Sequence, residues 1–188
     1  MKKIFSVLAA LLMAATMSIN ATPQRGKFIH VDASTSKNLK PQMAFCQDRV
    51  DGVDVTTLIV KTVDVNAYKD FNDASRVLIR FADGTTARLN LVPGVEVKKY
   101  KNTEKVERAT ITKYWTETTY EVTPEVIAKL EAGIAIIKVR VVIKENDAKD
   151  YDIAEGYQAR MAADLLKSYQ EAVQLNRKAN SDLSDEDF

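Results

Sequence analysis

Arg76-Val77-Leu78-Ile79-Arg80-Phe81-Ala82-Asp83-Gly84-Thr85-Thr86-Ala87-Arg88-Leu89-Asn90-Leu91-Val92 sets two strand-like runs around an Asp-Gly pair. Asp-Gly between alternating apolar runs marks a hairpin. The faces choose the turn. Val77, Ile79 and Phe81 alternate on one side of the first run, and Ala87, Leu89 and Leu91 on one side of the second. A two-residue loop would set Ile79 against Arg88 and Val77 against Asn90, mixing the faces. A three-residue loop of Ala82, Asp83 and Gly84 sets Ile79 against Ala87 and Val77 against Leu89. Register follows the buried face. The three-residue loop is therefore predicted, with Gly84 in the left-handed bulge position. Arg76, Arg80, Arg88 and Asn90 then share the outer face.

Downstream, Val92-Pro93-Gly94 makes a turn. Residues 95–101 and 105–122 read as an antiparallel pair around Asn102, Thr103 and Glu104. The second member exceeds an ordinary strand, so it is expected to bend or divide. A short helix follows, with Thr123 as cap, Pro124 in its first turn and Glu125 at the positive end of its dipole. Val126, Ile127 and Leu130 give its apolar side and Gly133 its stop. Residues 134–143 form a strand with Ile137, Val139, Val141 and Ile143 on one face. Residues 145–150 read as a turn and 151–153 as a brief extended piece. The main helix is 154–178, where Ala162, Leu165, Leu166, Tyr169, Ala172 and Val173 recur at helical spacing. Asp182, Asp185, Glu186 and Asp187 mark residues 179–188 as an acidic, disordered tail.

Upstream, the β-branched run 55–65 reads as a central strand buried on both faces. Residues 27–31 form a short strand, 32–42 a loop, 22–26 an unstructured leader, and 66–75 a polar connection. Strands that precede the main helix and pair antiparallel make an α+β domain. It has one short helix and a C-terminal amphipathic helix covering one sheet face. A β-sandwich with an appended helix is the alternative.

The chain opens as a secretory signal. Lys2 and Lys3 precede an uncharged run, Ile4 to Met17, and small or polar residues follow. Residues 1–21 are assigned to this signal, with cleavage after Ala21 or Ser18, and residues 22–178 to a single domain. The apolar run is too short for a permanent span, which needs about 20 residues. Export therefore leaves no stable membrane span and places the product in the periplasm or outside the cell. Without Lys2 and Lys3, 25 of the 27 basic residues face 26 acidic ones, a net charge of −1. That balance does not suit a nucleic-acid coat.

Chemistry is sparse. His30 is the only histidine and Cys46 the only cysteine, so the usual nitrogen and sulfur shell of a zinc site cannot be built. Neither a metal nor a cofactor is expected. Cys46 follows Met43, Ala44 and Phe45 and reads as a small buried hydrophobe. Asp48, Asp51 and Asp54 lack the alternating pattern of a calcium loop and read as a solvated turn. Carboxylates are numerous enough for a hydrolase that uses two of them, but none stands where burial would retune it.

The best surface candidate is one side of the long hairpin. If Val95 and Val97 pair with Ile111 and Ala109, Lys98, Tyr100, Arg108, Thr110, Thr112, Tyr114, Thr116, Thr118 and Tyr120 share the opposite side. Lys98, Tyr100, Arg108, Tyr114 and Tyr120 are the candidate binding residues. Tyrosines among threonines and bases can stack on a sugar or hold a polypeptide. The lone Trp115 falls on the inner side and reads as core.

Tyr120-Glu121-Val122-Thr123-Pro124-Glu125, then Ile127, Leu130, Gly133, Lys138 and Arg140, carry a strand–helix–strand cadence. With Phe81-Ala82-Asp83-Gly84-Thr85 it resembles small exported proteins of unknown function from Gram-negative anaerobes. The resemblance implies export and a β-rich domain and supplies no functional residues. The expectation is a non-enzymatic envelope protein that binds a protein or polysaccharide. A carboxylate-dependent hydrolase is the alternative. An exported inhibitor would need 66–75 to protrude as a loop.

Overall fold

The computed structural model describes residues 22–31, 40–50, 52–106 and 109–185. The expected signal, most of the 32–42 loop, Asp51, Arg108 and the end of the acidic tail lie outside the described residues. In chain order the elements are β1 (Gln24–Arg25), β2 (Ile29–His30), β3 (Gln42–Val50), β4 (Val53–Asp64), β5 (Arg76–Phe81) and β6 (Thr86–Asn90). Then come β7 (Lys98–Val106), β8 (Ala109–Glu121), α1 (Pro124–Glu131), β9 (Ile136–Lys144), β10 (Asp147–Asp152) and α2 (Glu155–Asp185).

The fold is α+β, with two antiparallel sheets. One runs β1-β3-β4-β8-β7, with β2 also on β3; the other runs β10-β9-β5-β6. They meet where Leu91 bridges Tyr120 and the Val92 amide donates to the Thr119 carbonyl at 2.9 Å. Between them lies one core that includes Met43, Phe45, Leu58, Val60, Val77, Ile79, Phe81, Leu89, Tyr120, Val139 and Val141. Met161, Leu165 and Ala172 of α2 complete it.

The Asp83-Gly84 hairpin forms as expected. Ile79 pairs with Ala87 and Val77 with Leu89, and Gly84 has φ +86°. The Asp83 carboxylate accepts from the Thr85 amide at 3.0 Å and from its hydroxyl at 2.6 Å. It also meets the Lys129 ammonium of α1 at 2.7 Å. Helix α1 ends at Gly133, φ +70°, where the Gly133 and Ile134 amides donate back to the Leu130 and Lys129 carbonyls. That is a left-handed glycine cap. Thr123 occupies the cap position, but its hydroxyl makes no bond to the helix backbone.

Other expectations are corrected. Residues 22–26 are not structureless: Gln24 and Arg25 pair with Gln47 and Cys46. The apolar patch around Cys46 is strand β3, which pairs with β4 out to Val50 and Val53, and Gly52 there has φ +79°. Strand β4 is central, yet only Leu58, Val60, Thr62 and Val63 are buried along it, because one of its faces lies away from the core. Residues 147–152 form β10 on β9. A register shift at Arg80/Phe81 pairs Phe81 with Ile136 and sends Ile136, not Ile137, into the core. Strand β8 stays one element of 13 residues because different partners hold its two halves, β7 up to Glu117 and β4 from Tyr114. Helix α2 continues through the acidic segment to Asp185. No glycine or proline stops it there, and the Asn180 side-chain Nδ2 donates to the Asn176 carbonyl at 2.8 Å.

Helix α2 seats at the edge of β3 opposite β4. The β3 ladder is split between β1 and β2, and Phe45 lies in the gap. Its carbonyl accepts from the Gly26 amide at 3.0 Å, and its amide donates to the Ser168 hydroxyl of α2 at 3.1 Å. Phe45 also meets Tyr169 edge to face at 5.7 Å.

Candidate functional site

The site begins with a strand register. Strands β7 and β8 pair out to Val106 and Ala109, so Tyr100 pairs with Trp115 and Lys98 with Glu117. The expected loop at Asn102–Glu104 is instead part of β7, which pairs onward to Val106. The physical cause is that the hairpin's far end carries lysine and threonine on both sides, leaving no apolar face to pin the register.

The corrected register divides the expected binding face. Lys98 and Tyr100 share one face with Trp115. Tyr114 lies on the other, opposite Asp64, with its ring edge-to-face on Tyr68 at 5.1 Å. Tyr120 lies on that second face too, fully buried in the core. Its hydroxyl accepts from Thr118 at 3.1 Å, and burial pushes its phenol up to about 12. Arg108 lies outside the described residues.

What assembles around Tyr100 is a different group. Its ring stacks on Trp115 with centroids 6.3 Å apart and planes 7° from parallel. The Lys61 ammonium sits 3.9 Å over the Phe28 ring and 5.5 Å over the Tyr100 ring. The Arg25 guanidinium lies 4.5 Å over the other aromatic partner, Phe28. Glu117, only 8% exposed, meets Lys61 at 3.3 Å and Lys98 at 3.9 Å. Two ammonium groups make a carboxylate tolerable at that depth. Cation–π contacts fix Lys61 between its rings. Trp115 is therefore not core, as parity had implied; it is half-buried on the face turned away from the core.

Phe28, Lys61, Trp115 and Glu117 were missed as site residues. Lys61 did carry a signal, a charge inside a β-branched run. The others depend on the register and on β2, which sequence spacing does not fix.

Other candidates occupy ordinary positions. Cys46 is buried, and burial first, then the nearby Asp48 carboxylate, pushes its thiol up to about 11. Thiolate is the reactive form. The folded protein at pH 8 should thus resist a maleimide that labels it at once in denaturant; rapid stoichiometric labelling of folded protein would contradict this burial. Asp150 and Asp152 both meet Lys138, at 3.3 and 3.1 Å, on an exposed sheet face. Residues 66–75 are tied down: the Lys69 amide donates to Thr116 at 3.0 Å, Phe71 is buried, and the Ser75 hydroxyl donates to the Ile143 carbonyl. Among the described residues no His, Cys, Asp and Glu cluster could hold a metal ion, and no helix is long and apolar enough to cross a membrane.

No protein-family model, curated protein or solved structure matches the chain.

Proposed function

We propose that the chain is an exported, non-enzymatic binding protein of the cell envelope that holds a polysaccharide on the face around Tyr100 and Trp115. The observation that carries this reading is the parallel pair of rings, Tyr100 and Trp115, on a face that the core does not use. Flat aromatic rings offer apolar area to the faces of sugar rings at low entropic cost. Lys61, Lys98 and Glu117 border the pair with donors and acceptors for hydroxyl groups. The ion pairs and cation–π contacts already hold Lys61 in place, so less order has to be imposed on binding. Export rests on Lys2, Lys3 and the uncharged run behind them.

Trp115 is the only tryptophan and so reports on its own site. Its fluorescence, titrated with neutral oligosaccharides prepared from peptidoglycan, cellulose and xylan, should shift saturably with at least one of them. Tyr100→Ala should weaken that interaction at least tenfold, while Tyr114→Ala leaves it unchanged. A Trp115 signal indifferent to every oligosaccharide, or an affinity equal in wild type and Tyr100→Ala, would overturn the proposal.

A further inference from the structure

We propose that the outer face of the four-stranded sheet is a second binding surface, for a linear acidic glycan bearing carboxylate or sulfate groups. The inference rests on residues separate from the aromatic face. Three cross-strand rows build it. Arg76 lies between Asn90 and Val142, Leu78 between Arg88 and Arg140, and Arg80 between Thr86 and Lys138. Arg80 is thus directly beside Lys138 and diagonal to Arg88 and Arg140. Paired residues stand about 5 Å apart, and same-face neighbours along a strand about 7 Å.

The acidic partners lie at one edge. Asp150 engages Arg140 through both carboxylate oxygens, and Asp150 and Asp152 both engage Lys138. Toward β6 the arginines find only neutral groups: Arg76 donates to the Ala74 carbonyl at 3.2 Å and Arg88 to the Asn90 side chain at 3.1 Å. Among the described residues no carboxylate forms an ion pair with Arg76, Arg80 or Arg88. Like charges side by side on a sheet are destabilising. A chain with formal net charge +1 has no excess of bases that would force them together.

The chemistry of the face selects the partner. Guanidinium groups present planar forks that match carboxylate and sulfate oxygens. Thr86 and Asn90 lie between them as hydroxyl and amide partners for sugar hydroxyls. Among the described residues the large exposed apolar side chains, Val53, Val65, Tyr100, Tyr157 and Leu175, all lie elsewhere. A bilayer-bound face needs an apolar side to insert, and single-stranded nucleic acid needs rings on which bases stack. Cations and small polar groups set around the half-buried Leu78 and the buried Val142 fit a polymer that repeats one anion and several hydroxyls.

Binding of the purified protein to immobilised polygalacturonate, dextran sulfate and uncharged dextran tests this, with phosphatidylglycerol vesicles as a fourth probe. The expected result is salt-sensitive binding to polygalacturonate or dextran sulfate and none to dextran. Binding to polygalacturonate alone would assign carboxylate recognition, and to dextran sulfate alone sulfate recognition. Arg80→Gln/Arg88→Gln should weaken binding at least tenfold with an unchanged circular dichroism spectrum. Lys99→Gln/Lys101→Gln removes the same charge from the exposed part of β7 and should retain affinity. Equal losses in the two double variants, no binding to either polyanion, or stronger binding to the vesicles would each overturn it.

Discussion

Gly26→Ala should destabilise the protein by about 3 kcal/mol or more, lowering Tm by roughly 10 °C. A Cβ placed on Gly26 would stand 1.9 Å from the Ser168 carbonyl oxygen and 2.7 Å from its carbonyl carbon. Both are backbone atoms of α2, so no side-chain rotation relieves the clash. The helix must move away from β3, or the segment after β1 must leave. Either movement breaks one of the two hydrogen bonds that Phe45 makes in the ladder gap, to Gly26 or to Ser168. An unmade buried bond costs about 1–3 kcal/mol in addition to the overpacking. Gly156→Ala is the matched control. It lies in the first turn of α2 with nothing within 4 Å of its added Cβ, and alanine is the better helix former, by at most about 1 kcal/mol. Urea unfolding of the two variants should give shifts of opposite sign. An unchanged midpoint for Gly26→Ala would mean that α2 does not lie on Gly26.

Tyr120→Ala should cost a further kind of stability, about 3–5 kcal/mol, by leaving a cavity where the two sheets join. Tyr120 is fully buried, and its neighbour across the sheets is Leu91. Tyr120→Phe keeps the volume and loses only the bond from Thr118, whose hydroxyl also reaches the Val60 carbonyl at 3.4 Å. Its cost should be about 1 kcal/mol. The folded Tyr120→Phe protein should bind oligosaccharide as the wild type does, because the residue faces away from Trp115. A Tyr120→Ala midpoint within experimental error of wild type would remove Tyr120 from the core.

How much of this was legible follows from where apolar pattern exists. The β5–β6 register could be read because Val77, Ile79, Ala87 and Leu89 leave one buried solution. The ends of α1 could be read because Pro124 and Gly133 act locally. Strand β3 was hidden because Met43, Ala44, Phe45 and Cys46 form a continuous apolar run with no period. The Ile136 parity was hidden because a bulge is a tertiary choice between strands. The candidate site suffered most. Tyr100 and Lys98 were found, but their neighbours depend on a hairpin whose lysines and threonines permit several registers. The misplaced turn put Tyr114 and Tyr120 with Tyr100 and sent Trp115 inward, the reverse of what the β4–β8–β7 pairing produces.

The most direct test of the account is therefore the register itself, read by nuclear Overhauser effects in solution. Cross-strand contacts should join the Tyr100 and Trp115 rings and the Lys98 and Glu117 backbones, with Tyr120 contacting Leu58 and Leu91. Contacts joining Tyr100 to Val106, and Val95 to Ile111, would place the turn at Asn102–Glu104 and dissolve the aromatic face.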